Sequence, residues 1–142
     1  MTMHLEIVTP KGSQIDVEAE EVVLPGKQGE FTILDGHIPF LSALKPGVVA
    51  YIDDDGTHRM AIGTGFSEAG VELAEGGAHH KVLVLTDMHA YEEDVDVDEV
   101  RAELEEAEEE LKAWTGRLDA EHGELEEKAQ WAEARLAVKG IE

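Results

Sequence analysis

Leu24–Gly47 reads LPGKQGEFTILDGHIPFLSALKPG, and seven of its twenty-four residues are backbone breakers: glycines at 26, 29, 36 and 47, prolines at 25, 39 and 46. No helix runs through such a stretch, because each proline removes a donor and fixes φ, and each glycine adds unfolded-state freedom. Two apolar pieces of strand length lie between the breakers, Phe31–Leu34 and Phe40–Leu44. Asp35-Gly36 is a turn dipeptide that puts His37 at a loop tip. The stretch therefore predicts strand, tight turn, loop, strand, with Glu30 and His37 near its ends. For Phe40 and Leu41 the reading is core packing.

Outward from it the chain keeps the same punctuation. Met3–Thr9 alternates, Pro10-Lys11-Gly12-Ser13 turns, and Gln14–Glu18 returns with Ile15 and Val17 on one face, as a half-buried strand does. Glu21–Leu24 leads into the central stretch. Beyond Gly47, Val48–Ile52, the acidic turn Asp53-Asp54-Asp55-Gly56 and His58–Ile62 form a hairpin pattern. Glycines at 63, 65 and 70 bracket Phe66–Ala69; Val71–Ala74 and Lys81–Thr86 complete the series. About ten short strands without an intervening helix predict an all-β antiparallel sandwich or flattened barrel.

From Asp96 the period lengthens to that of a helix. Val97, Val100, Leu104, Ala107, Leu111, Trp114 and Leu118 recur at alternating spacings of three and four, one apolar stripe on a long helix. Asp96 with Glu99 reads as a capping pair. His122-Gly123 breaks the pattern, and Leu125, Ala129, Ala132 and Leu136 form a second stripe. The expected organisation is a sandwich over residues 1–88 and a two-helix hairpin over 89–142. The stripes are narrow and rich in Ala, so the hairpin depends on docking to something else and is a candidate moving part.

The formal charge is −22, and the density of acids rises along the chain: 14 acidic against 5 basic residues up to position 90, then 19 against 6. Phosphate recognition needs clustered Lys and Arg, so nucleic acid and anionic lipid are excluded as main partners. The absence of cysteine removes disulfides and thiolate chemistry. No signal-peptide pattern or membrane-length apolar run is present. No phosphate loop, dinucleotide fingerprint, nucleophile elbow or HExxH occurs; Gly63-Thr64-Gly65 is a turn between strands. His79, His80 and His89 lack the spacing of a metal site, and no pair among the 33 acids stands out as catalytic.

The core GEFTILDGHIPFLSALKPG, with HLEIVTP before it, VLVLTD after it and a helical tail, resembles the epsilon subunit of F-type ATP synthases along the whole chain. The resemblance implies a non-catalytic central-stalk subunit that grips the gamma subunit, touches the ring of c subunits, couples ion flow to ATP synthesis and restrains ATP hydrolysis through its helices. It implies contact with the alpha and beta subunits of the catalytic head when the hairpin extends. It also implies a peripheral place at the cytoplasmic face of a bacterial membrane, reached only through partners. Contact with gamma or the c ring falls on Glu30, Gly36, His37, Ile38 and Pro39. Some members bind ATP on the hairpin through an [IL]DxxRA pattern; here Val97-Asp98-Glu99-Val100-Arg101-Ala102 departs from it by Val. With the basic residues that the pattern adds from the second helix, Asp98, Arg101, Arg135 and Lys139 are the matching positions, Lys139 standing where the family prefers Arg, with ATP as a regulatory ligand and no other cofactor; salt bridges are the competing reading. The alternative from another class is a free-standing β-sandwich binding module with a helical oligomerisation tail.

Overall fold

The computed structural model describes residues 2–36, 39–74 and 76–141. Ten strands precede two helices. They are β1 (Met3–Thr9), β2 (Gly12–Ala19), β3 (Glu21–Gly26), β4 (Gly29–Leu34), β5 (Phe40–Leu44), β6 (Gly47–Asp53), β7 (Gly56–Ile62), β8 (Gly65–Ala74), β9 (Gly77–Thr86) and β10 (His89–Tyr91). A 3-10 turn, Glu92–Asp94, leads to α1 (Val97–Lys112) and α2 (Ala120–Val138). The strands form one hydrogen-bonded path, β10-β7-β6-β3-β5-β8-β9-β1-β2, with β4 on β3.

The path folds into two layers because β3 and β5 share only the pair Gly26–Leu44. One layer holds β10, β7, β6, β3 and β4; the other holds β5, β8, β9, β1 and β2. Alternation places Met3, Leu5 and Ile7 of β1 between the layers with Val22, Leu24, Ile33, Leu44, Val49, Met60, Val82 and Val84, all at most 2% exposed. Tyr91 fastens the two ends of the path together, its hydroxyl donating to the Gln14 carbonyl of β2 at 3.2 Å. At Gly65 a Cβ would lie 2.0 Å from the Leu85 carbonyl oxygen, so only glycine lets β8 and β9 approach there.

Several expectations change. β1 pairs with β9 in parallel, so the sheet is not wholly antiparallel; alternation looks the same for either direction, and no short turn joins these two strands. β8 runs unbroken through Gly70, where a Cβ would meet nothing. The sheet continues past residue 88, since His89–Tyr91 pairs with Ile62–Met60 of β7. Leu41 is not core: it is 70% exposed, because odd positions of β5 face outward while Phe40, Ser42 and Leu44 face in.

The first helix stops at Lys112, short of Trp114 and Leu118. Its start is as read, with Asp96 accepting the Glu99 amide at 3.2 Å. The break falls at Ala113–Asp119 rather than at His122-Gly123, because the Asp119 carboxylate accepts the Glu121 and His122 amides at 3.1 and 3.3 Å. That cap restarts the helix ahead of Gly123. Leu118, outside both helices, is 81% exposed.

The hairpin docks on the outer face of β6 and β7. Ala61 of β7, Val95, Val100 of α1 and Ala132, Ala134, Leu136 and Val138 of α2 form a second buried cluster, with Val48 and Ala90 packed against it. β7 is therefore buried on both faces, Met60 and Ile62 inward and Ala61 outward. α2 ends in a Schellman turn, Ile141 to Leu136 at 3.0 Å and Gly140 to Ala137 at 2.8 Å. The Arg59 guanidinium adds a 3.2 Å bond to the Ala137 carbonyl, a cation at the negative end of the helix dipole.

Candidate functional site

The hairpin covers the outer face of one layer, and the outer face of the other stays open. Register fixes what it presents. Ala43 of β5 lies opposite Phe66 of β8, Phe66 opposite Leu85 of β9, and Leu85 opposite Val8 of β1. These four form an apolar row across four strands, with Leu41 one step along. Leu41 is 70% exposed, Phe66 55% and Leu85 49%. Adjacent large apolar side chains on an uncovered sheet mark a contact surface rather than scattered exposure.

The β4–β5 edge adjoins this row through Leu41. Glu30, exposed, follows Gly29 at the start of β4 and lies opposite Pro25, so it sits near a strand end rather than on a loop. Phe31 and Phe40 meet edge to face at 5.5 Å and pin the base of the connection. Asp35 and Gly36 form the turn, where Gly36 takes φ +89°, a backbone region that other residues rarely adopt. Gly36 and Pro39 are exposed; His37 and Ile38 lie outside the described residues.

Toward the other end of the same face the surface is polar. His4 donates from both ring nitrogens to carboxylates, Nδ1 to Glu72 at 2.6 Å and Nε2 to Asp16 at 2.5 Å. Lys81 reaches Glu6 at 3.2 Å and Glu72 at 3.4 Å. Burial opposes the charge on His4, but its bonds to Glu72 and Asp16 outweigh that and raise its pKa. The bond from His4, assisted by Lys81, holds Glu72 below the usual carboxylate range. These side chains bind one another across β2, β1, β9 and β8. His79 and His80 stand on β9 rather than in a turn, paired with Glu18 at 3.1 Å and Asp35 at 3.9 Å.

On the hairpin, each of the four matching positions has its own surroundings. Arg101 borders a groove of about 530 Å³ with Leu104, Glu108, Glu133, Leu136 and Ile141. Arg135 turns elsewhere, paired with Glu103 and stacked 5.1 Å over Trp131. Lys139 is the C-cap of α2, and Asp98 stands exposed in the first turn of α1. The sequence reading missed the apolar row and Arg59. Phe66 was detectable, since it shares strand parity with Glu68 and Glu72; Leu85, inside a continuous apolar run, was not.

A two-layer β body with an open apolar face and a docked, acidic helical hairpin is the build of an assembly subunit. Residues 2–74 match the family model for the ATP synthase delta/epsilon chain β-sandwich domain. The chain is 34% identical over 140 residues to the ATP synthase epsilon chain of Anaeromyxobacter dehalogenans, covering 99% of each. It is 35% identical over 139 residues to that of Nitratidesulfovibrio vulgaris, covering 98% of this chain and 96% of the other. Its fold overlays a chain of the Euglena gracilis mitochondrial ATP synthase structure with OSCP, F1 and c-ring at TM-score 0.74 and 19% identity, over 96% of this chain and 80% of that one. It overlays a chain from the central stalk and c-ring of the Tetrahymena thermophila enzyme at TM-score 0.59 and 16% identity, over 100% of this chain and 98% of that one. The chain belongs to the family of ATP synthase epsilon chains.

Proposed function

We propose that this chain is a non-catalytic rotor subunit that docks through the Leu41, Phe66 and Leu85 face onto a gamma-type subunit and through the Glu30–Pro39 edge onto a c ring. The carrying observation is that one outer face of the sandwich is covered by the chain's own helices while the other offers an apolar row to solvent. Relatives named as ATP synthase epsilon chains supply the assembly. No helix among the described residues is long and apolar enough to cross a membrane. As a subunit of such an assembly the chain reaches the membrane through its partners, at the cytoplasmic face. The hairpin, packed on the sandwich through mostly small side chains, regulates ATP hydrolysis by leaving that position for the catalytic head.

Co-expression with a gamma-type subunit tests the reading. A stoichiometric complex is the expected result, both for the full chain and for a chain ending at Asp94. Hydrolysis by the assembled complex is expected to rise when residues beyond Asp94 are removed. A chain that runs alone or only as a self-oligomer would support the free-standing module instead.

A further inference from the structure

The hairpin is held unequally along its length. From Ala129 onward α2 buries five residues: Ala129, Ala132, Ala134, Leu136 and Val138. The Arg59 bond secures the same end. From Ala120 to Lys128 no residue of α2 is buried. This half looks at the sandwich across a cleft of about 360 Å³, with Lys27, Lys45 and Thr64 on one side and Glu126, Glu127 and Gln130 on the other.

The two lysines ride on turns that brace each other. The Lys27 amide donates to the Ala43 carbonyl and the Lys45 amide to the Pro25 carbonyl, each at 3.0 Å. Among the described residues no ion pair closes the cleft, and Glu126 takes His122 of its own helix at 3.0 Å. Opposite charges thus line the two sides of the cleft. Such attraction extends over roughly a Debye length, about 8 Å at physiological salt, and is screened as salt rises. Apolar contacts at the other end respond in the opposite sense or not at all.

We propose that the docked hairpin is a salt-sensitive clasp that opens from the α1–α2 turn while its Ala129–Val138 end stays seated, with Lys27 and Lys45 facing Glu126 and Glu127 setting how often it opens. The proposal rests on the docked arrangement itself and not on assembly into a synthase, so it is tested on the isolated full chain.

Amide hydrogen exchange resolves the two halves of α2. Residues 124–128 are expected to exchange faster than residues 132–138. Raising sodium chloride from low salt to about 1 M should accelerate the first set by about three- to tenfold and leave the second within about twofold, the scale of two exposed charge pairs. Lys27→Glu with Lys45→Glu should reproduce the acceleration at low salt, and adding Glu126→Lys with Glu127→Lys should reverse it. The salt series needs no variant and so decides the matter even if a variant misfolds. Equal acceleration of both halves, or no response of residues 124–128 to salt and charge reversal, would overturn the proposal.

Discussion

Leu136→Ala separates the two cores. Leu136, 4% exposed, has the largest side chain in the buried cluster between hairpin and sheet, whose other members are Ala61, Val95, Val100, Ala132, Ala134 and Val138. Alanines contribute about one methyl each, while a fully buried Leu or Val is worth about 1.5–3 kcal/mol. Leu136 therefore carries a large share of the docking energy, and its truncation should remove about 2–3 kcal/mol, the low end of the Leu→Ala range of about 2–5 kcal/mol because undocking relieves the cavity. That corresponds to a rise of roughly 30- to 150-fold in the undocked population. None of these residues belongs to the inter-layer cluster around Leu5, Ile7, Val22 and Val84. In amide exchange the variant should lose protection by that factor across α1 and α2 while β1, β8 and β9 keep theirs. Leu5→Ala, at a fully buried inter-layer position, should lower protection in strands and helices together. If Leu136→Ala destabilises strands and helices by the same amount, the hairpin and sandwich are one cooperative unit and the reasoning fails.

Other consequences are local. Ser67 is fully buried and its hydroxyl has no partner, so Ser67→Ala should be neutral or stabilise by about 1 kcal/mol in denaturant melts; a loss of that size would reveal a bond the hydroxyl makes. His4, with its raised pKa, contributes stability that is complete below its ordinary value of 6.5 and is lost as pH rises through its folded value. Glu72, with its lowered pKa, contributes above its ordinary value of 4.5 and loses that as pH falls through its folded value. The network should therefore stabilise most between these two values, and His4→Gln should flatten the stability profile from about pH 6 to 8; a profile unchanged by the substitution would mean that the ring does not hold the strands. Calorimetry with ATP is expected to show no saturable binding, since Arg135 is engaged by Glu103 and the Arg101 groove carries Glu108 and Glu133, which repel a polyanion. Saturable binding abolished by Arg101→Ala would refute that expectation.

The fold was legible where local chemistry decides it. Breakers between Pro25 and Gly47 forced short strands, alternation in Met3–Thr9 and Gln14–Glu18 gave their faces, and Asp96 marked the helix start, because each signal is written within a few residues. Pairing between distant segments was not legible: nothing in Met3–Thr9 or Lys81–Thr86 says that β1 lies parallel to β9. Spacing alone continues the stripe to Trp114 and Leu118, whereas the chain leaves the helix at Ala113 and the Asp119 cap begins another. Hydrophobicity reads Leu41 as core, although it shares strand parity with the outward-facing Ala43. On the candidate site, the turn around Gly36 could be read from its dipeptide. The apolar row could not, since it exists only once β5, β8, β9 and β1 are side by side.

Docking of the uncovered sheet face onto gamma is read out by the affinity of the chain for a purified gamma-type subunit. Phe66→Glu with Leu85→Glu should weaken binding by about 100-fold or more, as loss of buried apolar anchors does, with the circular dichroism of the chain unchanged. Val71→Glu with Leu73→Glu, exposed apolar positions farther along β8 at 54% and 91%, should leave affinity within about twofold, as changes outside a contact do. Equal affinity for all three proteins would mean that this face is not the contact.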